Sequence, residues 1–158
     1  MVIDRETIQK KLAELEKYVT ELTKHQYYTV EDLRKDLGKQ WMVSHGLQLA
    51  IQVILDVGNH ILSDRGINAE DYTDVIDKMG EHSILPPKFA KRIRGMAGFR
   101  NVIIHGYSVL DLNKLHSVLK DSLADFLEFA RYITGFLEDD QKNKDKAMRQ
   151  TEHNCKRL

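Results

Sequence analysis

Phe89-Ala90-Lys91-Arg92-Ile93-Arg94-Gly95-Met96-Ala97-Gly98-Phe99-Arg100-Asn101-Val102-Ile103-Ile104-His105-Gly106-Tyr107 is the stretch from which the rest of the chain can be read. Its apolar residues Phe89, Ile93, Met96, Ala97, Ile103 and Ile104 recur at spacings of three and four, the period of a helix and not of a strand. Arg100 falls inside that stripe, where a core residue belongs. A guanidinium on a core-facing stripe is costly unless it is paired or opens onto a polar cavity. Asn101 and His105 lie four apart and share a face. Gly106 is a natural helix stop. One helix end thus collects a cation, an amide, an imidazole and a phenol, Tyr107. The first, second and fourth bind phosphate well; an imidazole exchanges protons near neutral pH. Taken singly, Arg100 also reads as a structural ion-pair partner and His105 as a cap.

Outward from this stretch the helical period persists. Ile8, Leu12, Leu15, Val19 and Leu22 form a stripe over residues 4 to about 25, with Asp4 as N-cap. Thr29 and Asp32 are spaced like a capping box and open the next segment, with a break expected near Gly38. From Val43 to Ser63 the chain is apolar on most of a helix circumference. Val43, Leu47, Ala50, Ile54 and Val57 make one stripe, and Leu49, Ile51, Val53 and Leu55 a second. Such a helix is buried on more than one side, and the second burial is read as a subunit interface. A polar ridge interrupts it: His45, Gln48, Gln52, Asp56, Asn59 and His60. Its members either line a site with Arg100, or reduce to an Asp56–His60 pair and exposed glutamines. Ser63-Asp64-Arg65-Gly66 ends this helix. A short helix runs from Ala69 to about Met79. Pro86-Pro87 starts the helix carrying the opening stretch. Asp111 starts the last long one, to about Glu138.

The fold expected is all-α: four long helices plus a short one, with residues 1–138 as the domain and 139–158 as a polar, charged tail, disordered or a frayed helical extension. At 158 residues the chain suits one domain with a full core. Lys+Arg and Asp+Glu both total 24, so no global field draws in nucleic acid and any such binding needs a local patch. From His82 through Leu110 there is no Asp or Glu. That run holds Lys88, Lys91, Arg92 and Arg94, the candidate RNA-binding patch, beside the motif. The single Cys excludes an intrachain disulfide and agrees with a reducing cytoplasm. No run approaches the roughly 20 apolar residues of a membrane span, and the start lacks a signal peptide's apolar core. No cofactor loop is present, and no metal ligand spacing; a His45/Asp56/His60/His105 metal set has nothing to make it converge.

Arg100-Asn101, His105 and Tyr107 together resemble the R-x4-H-x-Y signature of the HEPN ribonucleases, in particular the HepT toxin family. Asp56-Val57-Gly58-Asn59-His60-Ile61 resembles a second stretch typical of HepT-like chains. The likeness covers about residues 1–138. It implies a HEPN-type antiparallel bundle that pairs two-fold, so that facing R-x4-H motifs form one composite site. It implies a metal-independent endoribonuclease toxin without cofactor, with Arg100, His105 and Asn101 catalytic. It implies an MNT-type nucleotidyltransferase antitoxin as partner, with Tyr107 the AMP acceptor. Asp56, Asn59 and His60 are candidate site lining. The residues argue for pairing independently. On an unbroken helix Arg100 and His105 are about 140° apart, so one chain cannot turn both to one phosphate. Either the helix ends near His105 and swings the imidazole back, or two chains share a cleft. The alternative function is a non-catalytic helical dimer that binds nucleotide or a nucleotidyltransferase.

Overall fold

The computed structural model describes residues 4–105 and 110–157. Among them are eight helices: α1 (Arg5–Thr23), α2 (Val30–Lys35), α3 (Leu37–Asp64), α4 (Tyr72–Glu81), α5 (Pro87–Ile93), α6 (Gly95–His105), α7 (Leu112–Asp121) and α8 (Leu123–Cys155). No strand occurs among the described residues, and no helix among them is long and apolar enough to cross a membrane. The four long helical stretches of the sequence reading are present, three of them broken, together with the short α4.

The starts follow local chemistry. Asp4 accepts the Thr7 N–H at 3.1 Å and caps α1. Thr29 and Asp32 close a reciprocal capping box on α2, with bonds of 3.1 and 2.8 Å, satisfying two otherwise orphaned donors. The break expected at Gly38 comes two residues earlier. Asp36 is extended and its carboxylate receives the Lys39 N–H, restarting the chain as α3. Asp111 caps α7 through the Asn113 and Lys114 N–H groups. At the end of α3, Gly66 takes φ +70°, and the Ile67 N–H reaches back to the Leu62 carbonyl at 2.9 Å. A left-handed residue there suits glycine.

Two continuous helices were expected where the structure has pairs. The first breaks at Arg94, before Gly95, a weak helix former. The second breaks at Ser122, with φ −106° and ψ −4°. Apolar spacing carries across both breaks, so periodicity alone does not reveal them. Beyond Leu137, the last buried residue of α8, the helix continues exposed to Cys155. Its start is tied down: the Arg5 guanidinium donates to the Leu137 carbonyl (2.7 Å) and to Gln141 Oε1 (2.6 Å).

α3 is the central element, packed against α1, α2, α4, α6, α7 and α8. Val43, Leu47, Ala50, Ile51, Ile54, Leu55, Val57 and Ile61 are all fully buried within one chain. This corrects the sequence argument for a dimer. Apart from the half-buried Leu49, both apolar stripes of α3 are consumed inside the protomer, so they supply little surplus for a subunit interface. Gly58 packs directly against α4. A Cβ there would sit 2.7 Å from Val75 Cγ1 and 2.8 Å from Met79 Cε, so a side chain would force these neighbours to shift.

Candidate active site

α6 lies against α3, and the pairing places Arg100. Its Nε donates to Gln52 Oε1 at 2.7 Å. Its guanidinium carbon lies 4.8 Å from the centroid of the Tyr72 ring at the start of α4, a cation–π geometry. Its Nη1 reaches Asn101 Oδ1 at 3.4 Å. Gln52 in turn donates through Nε2 to Asp56 Oδ1 at 2.7 Å, and Lys11 Nζ approaches Asp56 Oδ2 at 3.4 Å. The order of the row is Lys11, Asp56, Gln52, Arg100. The carboxylate is matched by the lysine, and the amide relays a dipole to the arginine. No carboxylate among the described residues forms an ion pair with Arg100. The guanidinium is therefore oriented by an amide and an aromatic face while its charge is not cancelled. That state suits a cation waiting for a phosphate.

His105 is exposed at the last residue of α6. The helix runs unbroken from Arg100 to His105. They are thus about 7.5 Å apart along the axis and about 140° apart around it. Of the two ways to bring them to one phosphate, an early helix end is not the one seen. Gly106 and Tyr107 lie outside the described residues, and so does the expectation that the phenol is reachable from the cleft. Asn101 is exposed, and its carbonyl faces Arg100. With Asn59, Tyr72 and Val75 it lines a cavity of about 370 Å³. A larger groove of about 620 Å³ between α1 and α8, lined by Leu12, Ala13, Leu127 and Ala130, contains none of the candidate residues.

The ridge on α3 divides. Gln52 and Asp56 join Arg100 as the site reading required, and Asn59 opens onto the Asn101 cavity. The Asp56–His60 pair of the other reading is not made; His60 Nε2 instead accepts the Asp4 N–H at 3.3 Å. Among the described residues no three His, Cys, Asp or Glu side chains converge as a metal site needs.

The basic run is altered most. Arg92 Nη2 contacts Asp125 at 2.9 Å and Glu128 at 2.5 Å, both on α8. Arg94 holds Asp77 of α4 through two bonds of 2.9 Å. Its hydrogen bonds keep the Asp77 carboxyl below the usual carboxylate range. The segment has no acid in sequence, but the fold brings acids to two of the four cations of the candidate patch. Lys88 and Lys91 are exposed, with no ion pair among the described residues. Tyr72 is a partner of Arg100 that sequence reasoning missed; nothing in local spacing marks a cation–π contact across helices.

Known proteins agree with this architecture. The chain is 27% identical over 132 residues to the tRNA nuclease HepT of Aphanizomenon flos-aquae, covering 82% of this chain and 89% of that protein. It shares its fold with a cytosolic protein of unknown function, YutE, from Bacillus subtilis (TM-score 0.75, 21% identity, 87% of this chain and 93% of that one). It shares it also with a tri-AMPylated Shewanella oneidensis HEPN toxin solved in complex with MNT antitoxin (TM-score 0.72, 22% identity, 81% and 96%). The bundle, with its Arg100 to His105 helix packed on α3, is thus of HEPN type. Residues 6–133 match the family described as Ribonuclease HepT-like, and the chain belongs to that family.

Proposed function

We propose that this chain is a metal-independent endoribonuclease toxin whose active site is shared by two copies. One observation carries the reading. Arg100 is held by Gln52 and Tyr72 with no carboxylate partner among the described residues, on the same helix that ends in an exposed His105. Two such helices facing each other supply two imidazoles and two guanidiniums to one cleft. One His105 takes the proton from a ribose 2′-OH as its oxygen attacks the adjacent phosphorus. The protonated His105 of the other copy gives its proton to the departing 5′ oxygen. Arg100 stabilises the charge that grows on the phosphoryl oxygens. Asn101, beside Arg100, binds a phosphate oxygen. The ends left are a 2′,3′-cyclic phosphate and a 5′-OH. Because the nucleophile belongs to ribose, the substrate is RNA. Lys88 and Lys91, the two cations of the candidate patch without ion-pair partners among the described residues, contact its backbone.

The test is a labelled RNA incubated with the protein, with and without EDTA, followed by end-group analysis. Cleavage unaffected by EDTA and ending in a cyclic phosphate is expected. Cleavage abolished by EDTA rejects the mechanism. No cleavage by folded protein leaves a non-catalytic nucleotide-binding dimer as the reading.

The HepT-like relationship and the AMPylated state of the Shewanella toxin support a second step at Tyr107. Its phenol oxygen attacks the α-phosphorus of ATP on an MNT-type nucleotidyltransferase antitoxin, pyrophosphate leaves, and the adenylyl group blocks the cleft. Wild-type protein is expected to gain adenylyl mass with that enzyme and ATP, and Tyr107→Phe none at this position by peptide mass spectrometry. Modification of the Phe variant to the same extent would remove Tyr107 from this role.

A further inference from the structure

The polar ridge of α3 begins one turn earlier than the sequence reading placed it. Trp41 precedes His45 by four residues, on the same face, and it is 67% exposed. A large, mostly apolar indole so far out of the core invites a partner. Beside it lies a cavity of about 280 Å³, lined by Trp41, Ser44, His45 and Gln48 of α3 with Ile103 and Leu110. Ser44 Oγ is buried there without a hydrogen-bond partner among the described residues.

The register of the two helices locates this cavity relative to the chemistry. Arg100 meets Gln52, and Ile103 meets the stretch from Ser44 to Gln48. Residue numbers rise along α6 as they fall along α3, so the helices are antiparallel. The His105 end of α6 therefore points toward Trp41. Five residues beyond Arg100 correspond to the level of Leu47, which leaves Trp41 about 9 Å further along α3. A nucleotide next to the scissile phosphate spans that gap.

We infer that Trp41 is a stacking platform for a nucleobase flanking the cleaved bond, with Gln48 hydrogen-bonding to its edge. The inference rests on the ribonuclease reading above for the direction of the RNA. Three features favour a base over a protein partner. The cavity is near the small end of ligand sites, which start at about 300 Å³. Its rim carries several hydrogen-bonding side chains around a single indole. It abuts the end of the helix that carries His105. An aromatic side chain stacks any base, while amide and hydroxyl groups discriminate among edges.

Trp41 is the only tryptophan of the chain, so its fluorescence reports this site alone. The probe is a 2′-O-methyl oligoadenylate, which has no free 2′-OH and is not cleaved. Binding to the wild type is expected to quench the emission. Trp41→Leu is expected to weaken binding of the end-labelled probe about five- to 150-fold, the range of a lost base–aromatic stack, and Trp41→Phe to retain most of it. Light scattering is expected to give one oligomeric state for all three proteins. Absent quenching, or Trp41→Leu binding as tightly as wild type, overturns the inference. Dissociation of the Trp41→Leu protein into monomers also overturns it and assigns Trp41 to a contact between copies. Cleavage plays no part in these readouts, so failure here leaves the EDTA test standing, and failure of cleavage does not alter the quench.

Discussion

His105→Ala and Arg100→Ala are each expected to lower RNA cleavage at least about a hundredfold while folding and dimerisation persist. The magnitudes come from separate chemistry. A positioned general acid or base is typically worth about 10² to 10⁴ in rate. A preorganised charge on the developing oxyanion is worth about 10² to 10³. Neither side chain is buried, so truncation opens no core cavity and the helical signal in circular dichroism should be unchanged. Loss of growth inhibition in cells should parallel loss of cleavage. The two variants also test the shared site. The 140° offset along α6 denies one chain both groups at one phosphate. Mixed after exchange of subunits, the variants form pairs with one intact His105 and one intact Arg100, and part of the activity should return if one of each suffices. Full activity in folded His105→Ala would reject the catalytic assignment. Recovery in mixed, exchanged subunits shows that two chains serve one cleft, whereas no recovery shows that the cleft needs both imidazoles or both guanidiniums.

The helices and their caps were legible because both are local. Asp4, Thr29 with Asp32, and Asp111 act within a turn of their own positions, and each caps the helix it precedes. The interruptions at Arg94 and Ser122 were not legible, because the buried stripe resumes in phase after each. Arg100 stood out because a cation broke an apolar stripe, and Gln52 was recoverable because it broke another. Tyr72 was not, since its contact with Arg100 joins residues 28 apart in the chain. The basic run misled for the same reason in reverse. Asp77, Asp125 and Glu128 lie outside the acid-free window, yet they neutralise Arg92 and Arg94 in space. Charge patterning along a chain describes a surface only where neighbours in sequence are neighbours in the fold.

The apolar excess of α3 was legible as a fact and misread as to its cause, and Leu55→Ala separates the two causes. Leu55 belongs to the second of the two stripes whose combined excess the sequence reading referred to a subunit interface. It is 0% exposed within a single protomer. A Leu→Ala change at such a site removes the transfer energy of the lost methyl groups and leaves a cavity, together about 2–5 kcal/mol. That is a large part of a typical stability of about 5–15 kcal/mol. For a chain of this size each kcal/mol moves the melting temperature by about 2–4 °C. A fall of about 4–20 °C is therefore expected, with no change in oligomeric state by light scattering below the transition. An interface role would give the opposite result: a protomer as stable as wild type that separates on dilution. The residues left for an interface are those the core does not consume. Leu37 and Val102 are 54% and 47% exposed. Leu37 precedes the polar ridge on α3, and Val102 lies between Arg100 and His105 on α6. Pairing through Val102 would bring two copies of α6 together. Cleavage would then depend on protein concentration through the dimer equilibrium, whereas Leu55→Ala would act on cleavage only as far as it unfolds the protomer.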